Sequence, residues 1–449
     1  MVTTTTAIER SRTPRGARER LRASGVEAAA RLAWCAVAIG VRRLAARGGG
    51  RAARERALVA SARRLARTAG ALKGAFAKAG QFASLRHDVL PAAALAELDV
   101  LQERVPPLPF RVVERFVEEQ LGAPIARSFA TFDPAPIGAA SIAQVHRARL
   151  HDGTDVAVKV QYPWIEAALP SDLRLLRFAL RRVARNRRDA VEPLLEEFAA
   201  GLREELDFER EARVAAEIAA NLAELDRIVV PRAVPSHSTR RVLTMTHHPR
   251  IDLRDGGALR ARGIAPERVV ETLVRAYARM VFRDGLFHAD PHPGNLFVVD
   301  EPGAAEAPRV LFLDFGLSRR LAPELRRALR GALHAVIARD VEGVVSRMDE
   351  MGMIADGARP GVERAVSAMF ERLREQGGAL ALSGGQVLGL KDEAKRLLGE
   401  TPGLRLPNDL LLYAKTLSYL FALGGRIAPD VDAMRISLPY LLRFLAEAD

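Results

Sequence analysis

Apolar residues recur at helical spacing along most of the chain, and strand-like alternation is confined to a few short windows. Val26 to about Leu101 is rich in Ala, Leu and Arg and reads as helices broken at Gly48–Gly50 and Pro91. Pro106, Pro107 and Pro109 interrupt it, and Phe110–Leu121 reads as a short helix. Valines then alternate at 156, 158 and 160. Their run, Thr154–Gln161, is separated from Ala143–Leu150 by His151-Asp152-Gly153, whose Asp-Gly is a hairpin signal. Ser171–Leu225 reads as helical, Val229-Val230 and Val242–Met245 as strands, and Ala265–Arg283 as a helix. Leu296–Val299 and Val310–Leu313 read as two short strands joined by a Gly/Pro/Ala loop. From 320 to 449 the pattern is mainly helical, broken at Gly377-Gly378, Gly384-Gly385 and Pro402, and no segment repeats. The pattern predicts an α+β chain: a helical extension, a small sheet-bearing lobe and a larger helical lobe.

With 449 residues, 49% hydrophobic and 27% charged, the composition is that of a globular chain able to bury a sizeable core, with room for two or three domains. A single cysteine, Cys35, excludes an internal disulfide framework and a cysteine-rich zinc site, and fits a reducing cytoplasm. No apolar run of 18 residues is free of charge, and the opening MVTTTTAIERSR lacks the apolar core of a secretory signal. The net charge of +13 is concentrated. Residues 1–67 hold 16 Arg, no Lys and four Glu, leaving only +1 for the remaining 382 residues. Residues 1–24 read as a disordered basic arm. The apolar stretch Ala33–Val41, flanked by Arg31, Arg42 and Arg43, admits two readings: a helix packed on the body, or an amphipathic segment lying on an anionic membrane surface. Nucleic acid is not expected, because the segment has one aromatic residue, Trp34, and no recognition motif.

Several chemistries are closed. No Gly-Lys dipeptide occurs, which excludes a Walker A loop, and neither a His-Glu-x-x-His motif nor a Gly-x-Ser-x-Gly elbow is present. Lys159 ends the alternating Val156-Ala157-Val158-Lys159 and should face away from its valine neighbours. Upstream, Pro136-Ile137-Gly138-Ala139-Ala140-Ser141 is a run of small residues whose backbone amides can approach a bulky anion closely. His288-Ala289-Asp290-Pro291-His292-Pro293-Gly294-Asn295 offers an Asp and an Asn five apart in a Pro-stiffened loop, suited to one carboxylate as base or orienter and one amide oxygen on a metal. Leu311-Phe312-Leu313-Asp314-Phe315-Gly316 ends a strand on an aspartate that needs a partner, a divalent cation being one. Lys, then Asp/Asn, then Asp is the order of parts for phosphoryl transfer in kinases. The rival for His288, Asp290 and His292 is a transition-metal site. The partner of Lys159 should be a glutamate on the next long helix, and Glu204-Glu205-Leu206-Asp207-Phe208-Glu209-Arg210-Glu211 supplies several. On one continuous helix Glu204, Asp207 and Glu211 share a stripe and Glu205 diverges from Asp207 by about 200°. Spacing alone does not choose.

Taken together, these residues resemble the UbiB/AarF (ADCK-like) family of atypical protein-kinase-like proteins over roughly residues 60–330. Lys78-Ala79-Gly80-Gln81 is similar to its Lys-x-Gly-Gln motif, Pro136–Val145 to the Ala-rich loop that replaces a kinase Gly-rich loop, and Glu205-Leu206-Asp207 to its Glu-x-Asp motif. His288–Asn295 resembles the catalytic loop and Asp314-Phe315-Gly316 the metal-binding motif. The resemblance implies a two-lobed kinase-like fold binding ATP and Mg²⁺. In it, Gly138, Ala139, Ala140 and Ser141 would approach the nucleotide, Lys159 would contact phosphates and pair with Glu211, Asp290 would hold the catalytic position, and Asn295 and Asp314 would hold the metal. The helix bearing Lys78 and Gln81 would fold over the place of a protein substrate, with Glu205 and Asp207 lining the same region. It further implies a role in isoprenoid quinone or other lipid metabolism at membranes, in the cytoplasm or on the inner membrane face. The expected organisation is a basic arm (1–24), a helical extension (25–105), a kinase-like N-lobe with a helical insert (106–246) and a helical C-lobe (247–449). Three departures stand out. Gly138 stands where Ala is more usual, His288-Ala289-Asp290 lacks the kinase arginine, and Thr246-His247-His248-Pro249 lacks an acidic residue, leaving backbone groups for adenine. Ala322-Pro323-Glu324 follows Gly316 by six residues, too near for an activation loop, and reads as a helix start. Leu410–Leu423, interrupted by Lys415, is too short and too charged for the membrane anchor some bacterial relatives carry. The expected activity is therefore ATP-dependent phosphoryl transfer or ATP hydrolysis; the alternative is a nucleotide-gated module that binds a lipid or a partner.

Overall fold

The computed structural model describes residues 25–72, 74–84, 107–183, 188–292, 294–375 and 401–447. The expected basic arm, 1–24, lies outside them, as do residues 85–106 of the helical extension. The extension otherwise consists of α1 (Gly25–Ala45), α2 (Arg51–Leu72) and α3 (Gly74–Ser84), the last carrying Lys78 and the backbone of Gln81, whose side chain is outside the described set.

The first sheet is antiparallel in the order β1-β2-β3-β5, built from β1 (Thr131–Ala139), β2 (Ala143–Arg149), β3 (Asp155–Gln161) and β5 (Val242–Thr246). The expected hairpin joins β2 to β3, with Gly153 at φ +88°, the left-handed turn conformation that glycine adopts without strain. Helix α4 (Phe110–Leu121) lays Val113, Phe116 and Val117 on Val156, Val158 and Val160, so one face of β3 is core and the other, bearing Lys159, is turned away from it. The run Pro136–Ala140, expected as a loop, is instead largely the end of β1. Gly138 pairs with Val145 and Ala139 with Gln144, leaving a turn of Ala140–Ile142. Pro134 and Pro136 hid this strand. They are tolerated because β1 is an edge strand, and its register shifts on either side of Pro136.

The helical stretch after it, expected as continuous from Ser171 to Leu225, is three helices: α6 (Ile165–Val183), α7 (Arg188–Glu205) and α8 (Phe208–Asn221), the short α5 (Ile125–Ser128) lying upstream. The chain breaks at Leu206-Asp207, where the Asp207 carboxylate caps α8 by accepting the Arg210 N–H at 2.9 Å. The stripe of Glu204, Asp207 and Glu211 therefore does not exist. Helix α8 spans both lobes, with Phe208 in the core of the small sheet and Ala215 and Ile218 in the core of the larger lobe.

That larger core gathers α10 (Pro266–Ala278), the strands β7 (Leu286–Phe287), β8 (Leu296–Val299) and β9 (Val310–Phe312), and α14 (Asn408–Ile427). A second four-stranded sheet runs β4-β9-β8-β6, with β4 (Ile228–Val229) parallel to β9 and β6 (Arg250–Asp252) antiparallel to β8. Helix α10 passes into a π-helical turn, Arg279–Asp284, closed by Gly285 at φ +64°, which delivers the chain to β7 and the His288 loop. Short β10 (Arg319–Arg320) pairs with β7, and Pro323 opens α11 (Pro323–Ala338) as expected. Helices α12 (Val341–Glu350), α13 (Arg359–Glu375), α14 and α15 (Ala433–Ala446) complete the lobe, with the short α9 (Gly256–Ala261) before α10. The result is a two-lobed α+β fold. Among the described residues no helix is long and apolar enough to cross a membrane.

Candidate active site

Lys159 leaves β3 on the face away from the valine core, and its ammonium donates to both Glu211 oxygens at 2.8 Å and to Asp314 Oδ1 at 3.1 Å. The three come from different elements: β3, α8 and the turn after β9. The Lys159 and Glu211 side chains are 12% and 3% exposed, whereas Asp314 is 46% exposed. Burial works against the Lys159 charge, but Asp314 and Glu211 outweigh it and its pKa lies above the ordinary lysine value. Burial and the nearby Asp314 push Glu211 up, against the pull of Lys159. Asp314 would also be raised by burial, yet Lys159 and then Lys78 bring it down to about 2. Asp314 adopts φ +61°, a left-handed conformation that is uncommon for a residue with a Cβ and that marks the turn as held by its surroundings. A Cβ at Gly316 would crowd Glu205 Cγ at 3.3 Å and Asp314 Oδ1 at 3.4 Å, so glycine leaves both side chains in place. Arg210 ties the turn to α8 through the Gly316 and Ser318 carbonyls, each at 3.3 Å.

The His288–Asn295 loop lies against the same turn, since Leu313 N–H donates to the Asn295 carbonyl at 2.8 Å. Asn295 Nδ2 donates to Asp290 Oδ2 at 2.9 Å, which leaves the Asn295 amide oxygen without a hydrogen-bond partner among the described residues. His288 is fully buried, hydrogen-bonded to the Leu313 carbonyl at 2.9 Å and to the Tyr277 hydroxyl at 3.1 Å. Its ring nitrogens are thus spent on positioning the loop. Among the described residues no cluster of His, Cys, Asp and Glu could hold a metal by itself. The transition-metal reading of His288, Asp290 and His292 is corrected accordingly. What remains is an all-oxygen donor set, the free Asn295 amide oxygen and the second oxygen of Asp314. Two protein oxygens suit Mg²⁺, which keeps most of its ligands as water and phosphate.

Helix α3 covers the cleft. Lys78 forms an ion pair with Glu205, at the end of α7, and is near enough to Asp314 to lower it. Asp207, expected to line the same region, is engaged as the cap of α8. The Ala140–Ile142 turn is pinned by its carbonyls. Ala140 accepts the Tyr162 hydroxyl at 2.7 Å, Ser141 accepts Gly74 N–H at 3.0 Å from the start of α3, and Ile142 accepts Tyr162 N–H at 2.9 Å. Ser141 is buried beneath this contact, while a Cβ at Gly138 would meet nothing within 4 Å, so Gly138 borders open space and Ser141 does not.

One cation escaped the sequence reading. Lys415 of α14 donates to Asp290 Oδ1 at 3.1 Å. The run Leu410–Leu423 was weighed for its length and charge as a membrane anchor, but Lys415 lies on the helix face of Leu412 and Leu423, a core position where a lysine needs a partner.

A two-lobed fold with a strand lysine paired to a helix glutamate, opposed by an Asp/Asn loop and a strand-ending Asp-Phe-Gly, defines a kinase-like protein. Residues 100–348 match the ABC1 atypical kinase-like domain, and the chain belongs to this family. It is 34% identical to a probable protein kinase UbiB of Aeromonas hydrophila over 83% of this chain and 68% of that protein. It is 30% identical to an uncharacterised protein of Synechocystis sp., over 82% of this chain and 62% of the other. It is also 30% identical to the chloroplastic ACTIVITY OF BC1 COMPLEX KINASE 7 of Arabidopsis thaliana, over 82% of this chain and 52% of that protein. The chain thus spans between about half and two-thirds of the length of these relatives. A Mycobacterium tuberculosis protein, Rv3197, solved with erythromycin, shares the fold with a TM-score of 0.52 at 23% identity, covering 84% of this chain and 95% of that one.

Proposed function

We propose that this protein is an atypical kinase or ATPase acting on ATP with Mg²⁺. The carrying observation is the Lys159 ammonium held between Glu211 and Asp314, directly beside the Asp290–Asn295 loop. Lys159 neutralises phosphate oxygens, and Glu211 fixes its position. Gly138 and Ala139 border the space through which the phosphates pass. Asn295 and Asp314 would hold Mg²⁺, which supplies charge neutralisation on the phosphates. Asp290 orients the attacking hydroxyl or water and accepts its proton. Phosphoryl transfer needs little covalent chemistry from a protein, so placement and charge carry the rate. Asp314→Asn tests the assignment: nucleotide-dependent thermal stabilisation and ATPase rate are both lost, and a variant that keeps both removes Asp314 from the site.

A second reading is favoured by the Lys78–Glu205 pair, which fixes α3 over the cleft where a bulky acceptor would enter. On this reading ATP gates a lipid- or partner-binding face and turnover is incidental. A variant that binds ATP without hydrolysing it fails in function only under the first reading.

The site of action we propose is an anionic membrane surface. Trp34, Val37, Val41 and Leu44 are exposed at helical spacing along α1, beside a groove lined by Arg31, Arg42, Arg63, Arg64 and Arg67. Apolar insertion flanked by arginine suits acidic headgroups. A quinone or lipid precursor is the substrate class this location brings within reach.

A further inference from the structure

The His288–Asn295 loop contains no lysine or arginine, yet the carboxylate it presents is flanked by an ammonium that arrives from 125 residues downstream. Helix α14 packs Leu412 and Leu423 into the core of the larger lobe, and Lys415 lies on that same face. Burying an unpaired ammonium there would be costly. The position is occupied because Lys415 Nζ reaches Asp290 Oδ1 at 3.1 Å, with the two side chains 10% and 20% exposed. Tyr419, one turn on, supports the pair from both sides: its ring centre is 5.4 Å from the ammonium and 6.1 Å, edge to face, from the His292 ring of the loop. The other Asp290 oxygen is held by Asn295 at 2.9 Å. Both oxygens of the carboxylate are therefore oriented, one by the loop and one by the C-terminal helix.

We propose that Lys415 is a positioning residue for turnover: α14 supplies the cation that the catalytic loop lacks, and holds Asp290 aimed at the acceptor. This rests on the kinase/ATPase reading of the site. In the reaction the acceptor oxygen forms a bond to the γ-phosphorus, the bond from that phosphorus to the ADP oxygen breaks, and the acceptor proton passes to Asp290.

The test measures ATP turnover of the full chain, with ADP affinity by calorimetry, for the unaltered protein, Lys415→Met and Lys415→Arg. Lys415→Met lowers kcat by about 10²-fold. ADP affinity stays within about threefold, because Lys159, Asn295 and Asp314 are untouched. Lys415→Arg restores most of the rate, which a purely structural role would not predict. Lys415→Gln, keeping a polar head, carries the same expectation as Met where the Met variant unfolds. A Lys415→Met or Lys415→Gln enzyme with the original rate overturns the proposal alone. Absence of ATP-dependent turnover in the unaltered protein overturns it together with the reading it rests on.

Discussion

Removing Lys159 should cost more than removing Lys159 and Glu211 together. In Lys159→Met the Glu211 carboxylate, 3% exposed, keeps its place in the cleft but loses the one side-chain donor it has among the described residues, while Asp314, 46% exposed, can turn to water. Stranding one member of a buried ion pair costs about 3–5 kcal/mol. In Lys159→Met/Glu211→Gln the buried group is a neutral amide, whose unmet hydrogen bonds cost about 1–3 kcal/mol. The double variant is therefore expected to be more stable than the single by about 2 kcal/mol.

Urea unfolding followed by tryptophan fluorescence reads this difference, Trp164 being stacked on the buried Tyr162 with ring centres 5.5 Å apart. With a slope of about 3 kcal/mol per molar urea, Lys159→Met lowers the midpoint by about 1–1.7 M. The pH dependence has a definite sign. Glu211 already has a raised pKa in the folded protein, and losing Lys159 removes the influences that lower it. A group raised on folding contributes its full stability below its unfolded value and loses it as pH rises through the folded one. The Lys159→Met penalty therefore shrinks from pH 8 toward pH 5, and Glu211→Gln abolishes that slope. A double variant no more stable than the single, or a penalty independent of pH, would refute the reasoning.

Asp314 stays ionised down to about pH 2, so Mn²⁺ binding followed by electron paramagnetic resonance should persist from pH 8 to pH 5 and vanish in Asp314→Asn; equal signals from the two proteins would count against the donor set. Asp207→Ala should cost about 1 kcal/mol as a lost helix cap, with Asp207→Asn recovering most of it in urea unfolding and neither altering ADP affinity. Replacing Trp34 and Val41 by Ser should weaken co-sedimentation with anionic vesicles, and raised salt should weaken it further; unchanged sedimentation would remove α1 as the lipid-facing helix.

The parts legible in the sequence were those whose local chemistry and partner structure agree. Asp152-Gly153 announced the hairpin, valines at 156, 158 and 160 set the core face of β3, and so Lys159 was assigned to the opposite face correctly. β1 was missed because Pro134 and Pro136 break the rule for strands everywhere except at an edge, and edge position is a property of the assembled sheet. The helix break at Leu206-Asp207 was hidden by residues that are all compatible with a helix. Asp207 becomes a cap only when Phe208 commits to one core and Ile218 to the other. Glu211 could not be chosen from its neighbours by spacing, because the choice depends on where α8 starts. Lys415 was visible as an interruption of an apolar run, but nothing near it in sequence says what it faces.

Among the described residues, each lysine of the cleft is carried by a different part of the fold: Lys78 by the helical extension, Lys159 by the small sheet and Lys415 by the C-terminal helices. Each has its own carboxylate, Glu205, Glu211 and Asp290 in turn, and Asp314 shares Lys159. Four carboxylates against three ammonium groups leave one negative charge over. The surplus falls on Asp314, the most exposed of the four and the one held in a left-handed turn. Paired carboxylates are fixed in place by their lysines, so of these four carboxylates Asp314 is the one with an oxygen and a solvent-facing side to offer a cation, beside the Asn295 amide oxygen. On the kinase/ATPase reading proposed above, the cleft without a cation would repel a triphosphate, and the expected metal dependence of nucleotide binding would be set by the lysine pairing as much as by the metal's own ligands.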